Sequence, residues 1–122
     1  MTEEVATSPL SEAIPVPSGQ TVTLVDVIMN EPGPEGATVR FRFLAPAIGP
    51  GGGIGFDVAS LDMMHLCETY ALPRVLGNTP TPSQIIVSLS DVAVVFGEAA
   101  PSATQFFEAY RIEEDRCIWE AF

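Results

Sequence analysis

His65 is the sole histidine of the chain, so charge-relay or thiol–imidazole catalysis would have to be built around this one ring. Asp62 and Thr69 share its helical neighbourhood. His65 with Asp62 is therefore the one pairing from which a small hydrolase or metal-dependent enzyme could draw an acid–base group. The competing reading is a solvent-facing helix histidine. Met63, Met64, His65 and Cys67 are soft ligands of the kind Cu(I) takes, but helical spacing fans them around the axis. All five basic residues are arginines, which removes the P-loop lysine and Schiff-base chemistry. Gly49-Pro50-Gly51-Gly52-Gly53-Ile54-Gly55 lacks the GxGxxG spacing and a following lysine, and reads as a loop instead of a phosphate cradle. Glu31 with Glu35, and Glu113-Glu114-Asp115, are acidic turns without EF-hand spacing. A glycosidase carboxylate pair is defined by a separation in space that spacing in sequence does not supply. Arg40 and Arg42 project from the polar face of one strand and, with His65, are candidate ligand or partner contacts. Outward arginines on a strand also serve simply to solubilise or protect an edge. These residues assign no catalytic group, no metal and no cofactor.

The elements that must position these groups can be read from periodicity and turn chemistry. Residues 1–18 are rich in Ser, Pro, Thr and Glu and read as a flexible arm, although Ile14-Pro15-Val16-Pro17 could lie extended across the core; residues 19–122 read as a single domain. Thr21 to Met29 is apolar on both alternating sets, as a central strand covered on both faces would be. Turn residues Glu31 to Gly36 lead into Thr38 to Leu44, where Val39, Phe41 and Phe43 alternate with Thr38, Arg40 and Arg42. Pro46 to Gly55 reads as a loop with room for mobility, followed by a short strand around Ile54 to Val58. Ser60 is the expected N-cap of a helix with Met63, Leu66, Cys67, Tyr70 and Ala71 on its apolar stripe, ending near Leu72 because of Pro73. The strand Ile85 to Leu89 changes phase to Val92, Val94, Phe96, which calls for a bulge or tight turn at Ser90-Asp91. Phe106 to Phe122 reads as a hairpin turning at Glu114-Asp115, with a helical start over Thr104 to Tyr110 as the alternative. A two-residue turn places Ile112 opposite Cys117, Tyr110 opposite Trp119, Glu108 opposite Ala121 and Glu113 opposite Arg116.

Sixteen carboxylates against five arginines give a formal net charge of -11. A polyanion would be repelled, so nucleic acid is not an expected partner. At 122 residues and 47% hydrophobic, the chain suits one packed domain. No apolar run approaches the roughly 18 residues of a membrane span. The start Met1-Thr2-Glu3-Glu4 is acidic and no apolar stretch follows, so the chain is expected to be either cytoplasmic or an exported protein in mature form behind a starting Met. Cys67 on the helix stripe and Cys117 on the apolar face of the closing hairpin both point at the helix–sheet interface. They would either form a disulfide, worth roughly 3–4 kcal/mol in an oxidising compartment, or remain two buried thiols. No CxxC motif supports thiol catalysis.

Taken together, Val16-Pro17-Ser18-Gly19-Gln20, Arg40-Phe41-Arg42-Phe43-Leu44-Ala45-Pro46, Leu66-Cys67, Tyr70-Ala71-Leu72-Pro73, Ser88-Leu89-Ser90-Asp91 and Cys117-Ile118-Trp119-Glu120 carry a resemblance. Over residues 16–122 the chain resembles a family of short alphaproteobacterial exported proteins of unknown function. The resemblance implies a mature, periplasmic form and matches Cys67 and Cys117 to the family's cysteine positions. It transfers no catalytic residue. Some members are labelled acetolactate synthase, a label that does not fit so short a chain without a thiamine-diphosphate site.

The expected fold is α+β, a mainly antiparallel sheet with one principal helix packed on one face. The expected function is a small periplasmic or secreted binding or accessory domain whose partner is another envelope protein, through a sheet edge or the glycine loop. The alternatives are the His65–Asp62 enzyme and an acidic mimic of nucleic acid. Oligomeric state is not legible from the sequence.

Overall fold

A computed structural model describes residues 12–33, 36–77 and 81–120. Among the described residues five strands form one sheet in the order β1-β2-β3-β4-β5, with β1 Thr23–Gly33, β2 Gly36–Leu44, β3 Gln84–Ser90, β4 Gln105–Glu113 and β5 Arg116–Glu120. Every neighbouring pair is antiparallel except β2 with β3. That parallel pair requires a crossover, and the connection contains helix α1 (Phe56–Leu66), a π-helical stretch Cys67–Ala71 and a last short helix α2, Leu72–Val75. The fold is the expected α+β arrangement of a mostly antiparallel sheet and one main helix.

Alternation decides which face of the sheet is buried. Val39, Phe41 and Phe43 of β2 stand beside Ile85, Val87 and Leu89 of β3. Those six side chains pack against Ala59, Met63, Leu66 and Cys67 of the helix, all fully or almost fully buried. Full burial of each such aliphatic or aromatic side chain is worth roughly 1.5–3 kcal/mol, so this helix–sheet layer is the main source of stability. The opposite face is more polar, with Arg40, Arg42, Ser88 and Arg111 among its residues. Even there, Thr38 donates its hydroxyl to buried Gln84 Oε1 at 3.0 Å.

Several expectations are corrected. β1 is an edge strand paired only with β2, not a central one; β3 holds the centre. The apolar content of β1 on both alternating sets has a local cause. Residues Ile14 to Val22 bond back beside it through Ile14 N–H to Val22 O at 2.7 Å, while Ala93 to Phe96 approach Val25 and Asp26 from the other side. Its pairing also extends through Pro32 and Gly33 to Gly36, past the expected end at Asn30, with residues 34 and 35 outside the described set. No short strand forms at Ile54 to Val58, because extended Gly55 begins α1 there and Ala59 N–H closes the first turn on Gly55 O at 2.9 Å. Ser60 is thus inside the helix, donating its hydroxyl to Asp57 O.

Pro73 does not end the helix. The Leu72 N–H reaches back five residues to Cys67 O, and this π-helical offset carries the chain past the proline, which has no N–H to give. The glycine stretch is a folded loop: Pro46–Ile48 forms a 3-10 turn, Gly52 N–H bonds Gly49 O at 3.0 Å and Ile54 N–H bonds Ala47 O at 3.1 Å. A Cβ on Gly52 would collide with the Ala47 backbone, which is why glycine stands there. Of the bulge or tight turn expected at Ser90-Asp91, no bulge forms: pairing runs in register to Ser90, the chain bends out of the sheet at Asp91 and returns at Gln105. Asp91 closes the base of this loop, its N–H on Thr104 O and its Oδ1 accepting Thr104 N–H at 2.8 Å.

Residues 104–110 contribute to a strand, not a helix, from Gln105 onward. β4 and β5 turn at Glu114-Asp115, both in the left-handed region, and pair Ile112 with Cys117, Tyr110 with Trp119 and Glu113 with Arg116. Ala121, expected opposite Glu108, lies outside the described residues.

Candidate functional site

The disulfide is present: Cys67 in the π-helical stretch bonds Cys117 at the start of β5, with Cα atoms 6.3 Å apart. It fixes the C-terminal half of the helical segment to the closing hairpin. A groove lies between α1 and the β4–β5 hairpin.

One wall of the groove is a helical stripe. Leu61, Met64, His65 and Glu68 line it at i, i+3, i+4 and i+7, and Asp57, outside the lining, falls on the same helix face one turn before Leu61. The other wall comes from the hairpin: Glu108 and Tyr110 of β4, and Arg116, Cys117 and Trp119 of β5. The groove has two lobes of about 540 Å³ and 340 Å³ that share Leu61 and Met64. Leu61 is 66% exposed, Trp119 53% and Phe56 46%. Phe56 is edge-on to Phe106, ring centres 5.3 Å apart.

Polar groups steady the walls. Trp119 Nε1–H donates to Glu108 Oε1 at 2.7 Å, holding the indole along β4. Cys117 N–H donates to Glu68 Oε2 at 2.8 Å, and Arg116 Nε lies 4.0 Å from the same oxygen. Burial, reinforced by the negative charge of Glu108, raises the pKa of the Tyr110 phenol well above its ordinary value.

Asp62, one position from Leu61, faces the other way and is fully buried. Its Oδ1 accepts Ser18 N–H at 3.0 Å, and its Oδ2 accepts the Ser18 hydroxyl at 2.5 Å and Gln20 Nε2–H at 2.7 Å. It pins the segment leading into β1 across the helix. None of these hydrogen bonds comes from His65, whose half-buried ring lines the groove instead.

Arg40 and Arg42 lie on the far face of the sheet, away from His65. Arg42 Nη1 pairs with Asp26 Oδ2 at 2.7 Å, and its Nη2 donates to Val94 O. Phe96 covers both guanidinium groups, each 5.5 Å from its ring centre, and the small cavity there is about 200 Å³. The three candidate contact residues therefore do not form one site. The soft ligands also separate: Met63 is in the core, Cys67 is in the disulfide, and Met64 and His65 face the groove. Among the described residues no group of three His, Cys, Asp or Glu side chains is placed to hold a metal ion.

Sequence reasoning missed Leu61, Met64 and Phe56 as a surface feature. The signal was available in Leu61 and Met64, which are apolar but lie off the stripe of Met63, Leu66, Cys67 and Ala71. No helix is long and apolar enough to cross a membrane among the described residues. A family model described as Family of unknown function (DUF6497) matches residues 1–122. No curated protein and no solved structure matches.

Proposed function

We propose, for a chain that belongs to this family of unknown function, a periplasmic interaction module whose groove between α1 and the β4–β5 hairpin receives a segment of another envelope protein. The groove itself carries this reading. Single exposed apolar side chains are ordinary, but Phe56, Leu61 and Trp119 are exposed together along one concavity, which is how apolar surface is arranged for a partner. The disulfide supports the compartment, since such bonds persist where the surroundings are oxidising. An enzyme built on His65 and Asp62 has weaker support, because both oxygens of the Asp62 carboxylate are engaged by Ser18 and Gln20.

The test places a photo-crosslinking residue at position 61 and, as control, at exposed Ser102, in the native host. The same envelope protein should be captured repeatedly through position 61 and not through 102. Equal adducts at both positions, or none, would reject the groove as the interaction surface. Thiol alkylation in that host, followed by intact mass, checks the compartment: free Cys67 and Cys117 would rule out export.

A further inference from the structure

We infer that the occupant of the groove is a cationic amphipathic segment, apolar at its centre and carrying lysine or arginine towards both ends; this rests on the groove being the interaction surface. The helical wall sets the pattern. Asp57 and Glu68 bracket Leu61 and Met64, about 16 Å apart along the axis at roughly 1.5 Å per residue. The hairpin wall adds one more carboxylate, Glu108, in the lobe with Phe56, while the other lobe carries Glu68 beside Arg116.

The carboxylates keep acceptor capacity. Glu108 bonds Trp119 through Oε1 and Glu68 bonds the Cys117 N–H through Oε2, and among the described residues neither second oxygen receives a hydrogen bond. Among the described residues Arg116 is the one arginine that lines the groove, and it already leans on Glu68. An apolar centre with a carboxylate at each end favours a segment of the opposite pattern, and a chain of net charge -11 repels an acidic one.

Trp119 is the single tryptophan and stands in the groove wall, so its emission reports occupancy. Three tryptophan-free peptides share one leucine–phenylalanine core and are flanked by lysine, by glutamine or by glutamate. At low salt the lysine peptide should shift the emission and bind about tenfold or more tightly than the glutamine peptide. That advantage should largely vanish near 1 M salt, where the screening length falls to about 3 Å. Asp57→Asn, at an exposed position, should reduce only the lysine advantage, whereas Leu61→Ser should weaken both peptides; circular dichroism checks that each variant is folded. Equal affinities for the lysine and glutamine peptides would overturn the cationic assignment while leaving the groove as a binding surface. If no peptide binds, or if Leu61→Ser leaves lysine-peptide binding unchanged, the groove reading falls with it.

Discussion

Asp62 shows how one side chain can be structural where its type and spacing suggest chemistry. A buried carboxylate is costly unless its acceptors are filled, and here three donors from Ser18 and Gln20 fill them. Asp62→Ala should lower stability by about 2–3 kcal/mol in urea unfolding, a moderate figure because Ser18 is exposed and can partly turn to water. The same variant should make the chain around residues 14–20 more sensitive to protease. If unfolding is unchanged, the hydrogen bonds are not stabilising the junction. Tyr110 makes a second residue-scale case. Its folded pKa is raised by burial and by Glu108, so the folded state holds the phenolic proton beyond the unfolded value of about 10. The associated stability is fully present below pH about 10 and is lost as pH rises further. Tyr110→Phe should therefore flatten the alkaline fall in stability, and tyrosinate absorbance of the wild type should show Tyr110 ionising only as the fold is lost. An unaltered alkaline limb in the variant would assign that fall to other groups.

At the scale of elements, the disulfide joins the π-helical stretch to β5 across a sequence separation of 50. Closing a loop of that length constrains the unfolded chain by about 4 kcal/mol on the entropy model. Paired Cys67→Ala and Cys117→Ala substitutions should lower the denaturant midpoint accordingly, and Trp119 emission should reveal whether the hairpin stays docked. A loss under about 1 kcal/mol would mean that the layer holds without the bond. β2 and the closing hairpin were legible in the sequence because a single alternating pattern and a two-residue turn fix which side chains point inward. Cys67 and Cys117 were placed on facing surfaces by that same logic. β1 was misplaced because its apolar residues are covered by a preceding segment and a distant loop, neither of which periodicity reveals. Pro73 misled for a different reason: the π-helical offset that tolerates it is a hydrogen-bond shift without a residue signature. The groove was hidden too, since helical spacing gives the stripe of Leu61 and Met64 but not the hairpin wall of Trp119 and Glu108 opposite it.

For the whole molecule, the imbalance of sixteen carboxylates over five arginines dominates the long-range electrostatics. Added salt acts in two opposing directions. It weakens the surface pairs Arg111–Glu113, Arg111–Glu120 and Arg116–Glu68, which solvent already screens to a small net contribution. The better-buried guanidinium of Arg42, 12% exposed, is screened less in its pair with Asp26. Against these losses stands the mutual repulsion of the surplus negative charge, which the folded state concentrates and the unfolded chain spreads out. Shortening the screening length from about 30 Å at 0.01 M to about 8 Å at 0.15 M removes most of that repulsion. Repulsion should win, raising Tm by about 3–5 °C over that range, equivalent to roughly 1 kcal/mol for a chain of this size. Calorimetry across a sodium chloride series is the direct check. A Tm that fell with salt would mean that the few arginine pairs outweigh the surplus charge, and the same field could not then be expected to draw a cationic partner into the groove.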